Sequence, residues 1–139
     1  MSGSQEGQEY IDRMVHDRGY VLEYHKVLAA QDFEVLQKAN DLIHAAYLNE
    51  RNLDRWVKEL IFIVSLIVAH APKSHIQSHI RVALSLGVTP ETILEAIEIA
   101  LPEAGVVTFQ SGVEAWQEVV QMETLEPNVT TPSGGGDTG

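Results

Sequence analysis

One stretch of the sequence, from Lys58 to Arg81, limits most strongly what this chain can fold into. It opens with an apolar run, Leu60 to Ala69, which is far shorter than the ~20 residues that a membrane span needs. The run therefore predicts a buried helix, and Pro72 ends it because proline lacks the N–H that a helix interior donates. The same stretch holds three of the chain's six histidines, namely His70, His75 and His79.

Apolar residues recur at intervals of three and four along the rest of the chain, which predicts an all-α fold. Residues 9–125 are expected to form one helical domain. Residues 1–8 and 126–139 are small and polar, and both ends are predicted to be disordered. The Asn-Val-Thr triplet at 128–130 matches a glycosylation sequon that would be idle in the cytoplasm. The predicted helix starts are Asp32, Asp54, Ser74 and Thr89, and the predicted breaks are Gly19, Pro72, Gly87, Pro102 and Gly105.

The amino-acid composition makes several classes of function and partner unfavourable. The chain has 139 residues and a formal net charge of -11, which disfavours nucleic acid and anionic membranes as partners. It has no cysteine, so disulfides, thiol redox chemistry and thiolate metal sites are excluded. The first ten residues have neither a basic start nor an apolar run, so the expected location is the cytoplasm.

Two segments give the chain a family resemblance. They are LDRWVKELI at 53–61 and SHIRVALSLGVTPETILEAIEIALPEAGV at 78–106, and the strongest part is His79, seven residues, then Gly-Val-Thr-Pro-Glu at 87–91. Over roughly residues 52–120 the chain resembles the carboxymuconolactone decarboxylase family, which includes AhpD-like proteins. The resemblance implies an AhpD-like domain of antiparallel helices, usually assembled into homodimers, trimers or hexamers.

The resemblance implies one of two activities, because the family has two branches. AhpD-like proteins use a Glu, a Cys-x-x-Cys pair and a His for disulfide exchange. Glu59 and His79 occupy the Glu and His positions when one residue is inserted in the loop, but Pro72 and His75 stand where the cysteines would be. Thiol peroxidase activity is therefore excluded by chemistry. The decarboxylase branch needs no thiol and implies loss of CO2 from a γ-lactone carboxylate.

These considerations predict a cofactor-free lyase or isomerase that acts on a small carboxylate or lactone. His79 is the candidate general acid or enolate donor, His75 its partner, and Glu59 the group that fixes an imidazole tautomer. His75 and His79 lie four residues apart, so a helix places them on one face. Arg81 and His70 are the candidate substrate-binding residues, although Arg81 falls two positions from His79 and His70 also suits a helix end.

Two alternatives stay open. His75, His79 and Glu59 supply half of a zinc or iron site, but no HExxH or other metal signature completes it. A non-catalytic helical oligomer with a decayed site is the other alternative, and in it the missing cysteines are the first sign of decay. Trp56, Phe109 and Trp116 are expected to be core or interface residues.

Overall fold

The computed structural model describes residues 2–127, and over that range the chain is helical, with no strand. The predicted all-α class is confirmed. Most of the predicted C-terminal disorder, together with the sequon at 128–130, lies outside the described residues. None of the described helices combines the length and apolar character that crossing a membrane requires. The helices are α1 Ser2–Arg18, α2 Glu23–Gln31, α3 Phe33–Ile43, a π-helical turn His44–Leu48, α4 Arg55–Val68, α5 Lys73–Ser85, α6 Pro90–Glu98, α7 Ala100–Ala104 and α8 Val106–Val120.

The N-terminal end differs from the sequence prediction. Residues 1–8 were expected to be disordered, whereas α1 begins at Ser2. Gly7 explains the difference, because it is buried where α1 crosses α2, and a Cβ there would lie 2.9 Å from the carbonyl oxygen of Ala29. Glycine allows two helices to cross closely without adding a large apolar side chain. The spacing of apolar residues therefore does not reveal such a crossing.

Two separate apolar clusters hold the helices together. The larger cluster draws on all five helices from α4 through α8. It contains Ile63, Ile67, Ile76, Ile80, Ala83, Ile93, Ile97, Ala100, Ala115 and Trp116. The smaller cluster joins α1, α2 and α3 and contains only Ile11, Met14, Ala29 and Leu36. At about 25 cal/mol per Å² of apolar surface buried, the larger cluster contributes most of the hydrophobic stabilisation.

The predicted helix boundaries hold best in the C-terminal region. Thr89 caps α6 by accepting a hydrogen bond from the Thr92 N–H at 3.2 Å, and Pro90 takes the first helical position. Trp116 is buried and its indole N–H donates to the Pro90 carbonyl at 2.8 Å. Two details were wrong. Helix α5 begins at Lys73, before the predicted cap Ser74, and Pro102 lies inside α7, so the break falls at Ile99.

Helix α3 departs from regular geometry at its end. The apolar spacing predicts one helix that is capped by Asp32, ends near Asn49 and includes Leu42 and Tyr47 in its apolar alternation. Instead the last turn, His44–Leu48, is π-helical. A π turn inserts an extra residue and rotates the side chains that follow. Tyr47, inside this turn, is only 5% exposed and turns inward, whereas Leu42, which precedes the turn, is 69% exposed.

Candidate active site

The hairpin of α4 and α5 brings together the two residues on which the sequence prediction relied most. Glu59 lies in the second turn of α4 and His79 in the second turn of α5, and both are 0% exposed. Glu59 Oε1 forms a hydrogen bond with His79 Nδ1. A carboxylate accepts hydrogen bonds, so Nδ1 carries the proton and Nε2 is left as the atom available for chemistry.

Tyr47 completes this pair. Its hydroxyl donates a hydrogen bond to Glu59 Oε2 and lies 3.5 Å from His79 Nδ1. Burial raises the pKa of Tyr47 strongly, and the negative charge of Glu59 raises it further. Tyr47 is therefore a neutral donor at every physiological pH, and both oxygens of the buried carboxylate are satisfied. Tyr47 is not among the site residues predicted from the sequence, because the π turn that directs it inward leaves no signal in the apolar spacing.

Aromatic rings fix the orientation of the His79 imidazole. Phe62 stacks on it with ring centroids 4.3 Å apart and planes at 14°, and Tyr20 meets it edge-on at 4.7 Å. His79 Nε2 is buried and has no hydrogen-bond partner within the described residues. Buried polar atoms without a partner are rare in folded proteins and are often found where a ligand binds.

His75 forms the outer edge of the site. Its ring centroid is 5.4 Å from that of His79, so the structure brings together the two histidines that the sequence placed on one helical face. His75 is half-buried. Burial, together with the neighbouring His79, lowers its pKa. His75 is thus a neutral imidazole at pH 7, placed between His79 and solvent.

Neither predicted substrate-binding residue belongs to this cluster. Arg81 is exposed on α5, because two positions beyond His79 the helix turns its side chain outward. His70 is also exposed, just past the end of α4, and has a left-handed φ of 59°. The assignment of these two residues as substrate ligands is not supported by where the structure places them.

Two polar residues that the sequence analysis missed lie beside the site. Arg18 at the end of α1 is 2% exposed, and His25 in α2 is 1% exposed. Arg18 Nη1 lies 3.4 Å from His25 Nε2, and Arg18 also donates to the Asn40 side chain. An arginine directly before Gly19 has the pattern of a solvated helix end, so nothing in the sequence marks it as buried.

The arrangement of side chains offers little support for the alternative that the site binds a metal ion. Within residues 2–127, no group of three or more His, Asp or Glu side chains converges as a metal site requires. Glu59 is directed to His79 Nδ1, which leaves His79 only Nε2 for an ion.

A cavity of about 510 Å³ lies beyond Tyr47 and Phe62, which form part of its wall. Arg51 and Lys58 also line it, and Lys58 Nζ donates to the carbonyl of Asn49 at 2.5 Å. No acidic side chain lines this cavity, so it suits an uncharged or anionic compound. The remaining lining residues are Ala46, Asn52, Leu53, Ile61 and Ser65.

The fold and site together define a class: an all-helical domain whose helical hairpin buries a hydrogen-bonded Glu–His pair. Comparison with known families agrees with this class. The sequence profile of the carboxymuconolactone decarboxylase family matches residues 34–118, and the chain belongs to that family. No curated protein and no solved structure matched the chain significantly. The matched segment contains Tyr47, Glu59, His75 and His79, whereas Arg18 and His25 precede it.

Proposed function

We propose that this protein is a cofactor-free lyase, acting as a decarboxylase, or an isomerase of a small carboxylate or lactone compound. The observation that carries the proposal is the buried Glu59–His79 hydrogen bond, which leaves His79 Nε2 without a partner. A carboxylate on Nδ1 stabilises an imidazolium and holds the ring in one orientation, which is what a general acid–base histidine needs.

In a decarboxylation, the bond to the carboxylate carbon breaks, CO2 leaves, and the electron pair delocalises onto the neighbouring carbonyl oxygen as an enolate. His79, in its imidazolium form, donates the Nε2 proton to the carbon and returns to the neutral state. Solvent then restores the proton past His75. In an isomerisation, neutral Nε2 removes a proton and returns it to another carbon. Glu59 accepts from His79 Nδ1 throughout, and Tyr47 keeps it in place.

The site supports this chemistry better than a purely structural role. A histidine and a glutamate that are both 0% exposed are costly to bury, and apolar residues of similar volume would give the same fold with less desolvation. A cavity of about 510 Å³ lies next to the pair, since Tyr47 and Phe62, which contact Glu59 and His79, form part of its wall.

The test is proton transfer measured directly. Wild-type protein is incubated in D2O with a panel of γ-lactone carboxylates and 3-oxo acids, and NMR follows CO2 loss and deuterium incorporation. His79→Gln should lower the rate by about 10²–10⁴-fold, which is the usual contribution of a general acid or base. The matched control is His70→Gln, which removes an exposed histidine and should leave the rate unchanged.

A folded His75→Ala, His79→Ala double variant that retains the wild-type rate would reject the mechanism. For the metal alternative, elemental analysis of the purified protein is decisive, because a stoichiometric transition metal that is lost on the same substitutions would replace the proposal.

We also propose that the chain is a homo-oligomer in the cytoplasm. Large apolar side chains are exposed on the C-terminal helices, and these include Trp56, Ile61, Ile99, Val106 and Val107. Contiguous exposed apolar surface is typical of subunit interfaces. Light scattering after gel filtration measures the assembly. An oligomer that binds no member of the panel and shows no proton transfer would favour the non-catalytic alternative.

A further inference from the structure

The tautomer of His25 is fixed by the backbone. The Leu22 N–H donates a hydrogen bond to His25 Nδ1 at 2.9 Å, so in the neutral ring the proton resides on Nε2. Burial, together with the nearby Arg18 charge, lowers the pKa of His25 to about 4, which keeps the ring neutral at pH 7. His25 therefore presents an N–H toward Arg18.

This tautomer makes the contact between Arg18 and His25 a meeting of two donors. Arg18 Nη1 lies 3.4 Å from His25 Nε2, and guanidinium nitrogens never accept hydrogen bonds. Both nitrogens are donors, so neither finds an acceptor at this contact. A carboxylate oxygen beside both nitrogens would accept from each.

Arg18 also lacks the acidic partner that a buried arginine normally has. It is 2% exposed, its Nε has no hydrogen-bond partner, and within the described residues none of the ion pairs involves it. Its side-chain partners are neutral, namely the amide of Asn40 and the hydroxyl of Tyr20. A buried positive charge without a counter-charge is unfavourable, and an anionic ligand removes that cost on binding.

The two donors lie close to the reactive imidazole. Tyr20 connects the regions, because its ring contacts His79 while its hydroxyl lies near the Arg18 guanidinium. Burial raises the pKa of Tyr20 to about 12, and the Arg18 charge partly offsets that rise. His25 in turn lies near His75, which forms the outer edge of the site. Arg18 and His25 are thus neighbours of the residues that surround His79.

We propose that Arg18 and His25 form the carboxylate-binding subsite of this protein, with Arg18 as the residue that selects anionic over uncharged substrates. The proposal rests on the proposed function for its location beside His79, and its direct evidence is the unpaired donors. It assigns to α1 and α2, outside the family-matched segment, the role that the sequence analysis gave to Arg81.

The test compares two probes that differ only in the carboxylate: 5-oxotetrahydrofuran-2-carboxylate and γ-butyrolactone. Isothermal titration calorimetry measures both with wild-type protein and with Arg18→Gln. Wild type should bind the carboxylate more tightly than the uncharged lactone. Arg18→Gln should weaken carboxylate binding by roughly 30-fold, about 2 kcal/mol, and leave γ-butyrolactone unaffected.

Matched variants separate binding from folding. Arg81→Gln removes an exposed arginine and should leave both affinities unchanged. Asn40→Ala removes the amide partner of Arg18 but leaves the guanidinium, so it should lower stability more than affinity. Where Arg18→Gln does not fold, Arg18→Lys decides the question, because lysine keeps the charge but cannot form a two-point contact, and carboxylate affinity should still fall.

Wild-type affinity for the carboxylate in a folded Arg18 variant, or equal binding of the two probes by wild type, would overturn the subsite. His79→Gln distinguishes this outcome from failure of the proposed function. It should bind the carboxylate as wild type does while losing proton transfer. Arg18-dependent binding without any proton transfer in wild type would therefore reject the acid–base mechanism and keep the subsite.

Discussion

The N-terminal helices α1 to α3 and the C-terminal helices α4 to α8 are held together in different ways. The C-terminal region encloses an isoleucine-rich core. The N-terminal cluster has only four buried apolar residues, with partly buried ones such as Tyr10 and Phe33 packed against them, and polar contacts add to it. There Arg18 donates to Asn40, and Asn40 donates to the Tyr10 hydroxyl at 2.9 Å. Polar contacts specify geometry but add only about 1 kcal/mol each. The N-terminal region is thus the less stable of the two.

The candidate site joins the two regions. The Glu59–His79 pair comes from the stable α4–α5 hairpin, while Arg18, Tyr20 and His25 come from the N-terminal helices. Arg55 of α4 ties them together by donating to the carbonyl of Arg18 at 3.1 Å. In the proposed function, His79 would have the more rigid support, and Arg18 and His25 the looser support that ligand entry needs.

Core truncation in each region should give the largest effects. Ile80→Ala and Leu36→Ala each remove a side chain that is at most 1% exposed, and each should cost about 2–5 kcal/mol. The regions should respond differently, because the N-terminal cluster is small. Leu36→Ala should increase amide hydrogen exchange in α1 to α3 and leave α4 to α8 protected, whereas Ile80→Ala should increase exchange throughout.

Val35→Ala, which truncates an exposed neighbour of Leu36, serves as the control and should change neither exchange nor the urea midpoint. A uniform rise in exchange over all helices in Leu36→Ala would show that the two regions unfold as one unit.

The difference between the regions also explains what the sequence could predict. In α4 to α8, apolar periodicity and the Thr89-Pro90 start gave the helices to within a few residues, since packing there follows the amphipathic pattern. Glu59, His75 and His79 were found because the motif that carries them lies on those regular helices.

In the N-terminal region, the determining features leave no periodic signal. Gly7 permits a close crossing, the π turn redirects Tyr47, and Arg18 is buried by neighbours distant in sequence. Each is a tertiary effect that overrides local pattern. The sequence therefore predicted that Glu59 and His79 lie together, whereas Arg81, its candidate substrate ligand, lies exposed on α5 away from them.

Acid should destabilise the protein through His25. Its folded pKa of about 4 lies below the ~6.5 of an unfolded histidine, so the unfolded chain binds more protons between these values. Stability is complete above about pH 6.5 and falls as the pH drops toward 4. Between pH 7 and pH 5 the loss should be about 2 kcal/mol, and His75, whose pKa is also lowered, adds to it.

Urea unfolding of wild type and His25→Gln at both pH values measures this effect. Glutamine offers an N–H at a similar place but does not titrate, so the variant should lose less stability on acidification. His16→Gln, at an exposed histidine of α1, should behave as wild type does. An identical acid response in His25→Gln would mean that other groups cause the loss.

The smallest stability effect should come from two glycines that share one backbone conformation. Gly19 precedes α2 with φ of 87°, and Gly87 follows α5 with φ of 89°. Alanine at either position is strained and should lower the free energy of unfolding by about 1–2 kcal/mol.

The surroundings of the two glycines differ. A Cβ at Gly87 would meet nothing within 4 Å, whereas one at Gly19, which lies between Arg18 and Tyr20 in the sequence, would be 3.4 Å from a Val82 methyl. Melting temperatures should therefore fall similarly, but only Gly19→Ala should weaken binding of 5-oxotetrahydrofuran-2-carboxylate. Equal affinities in the two variants would show that the N-terminal residues contribute to the fold without shaping the site.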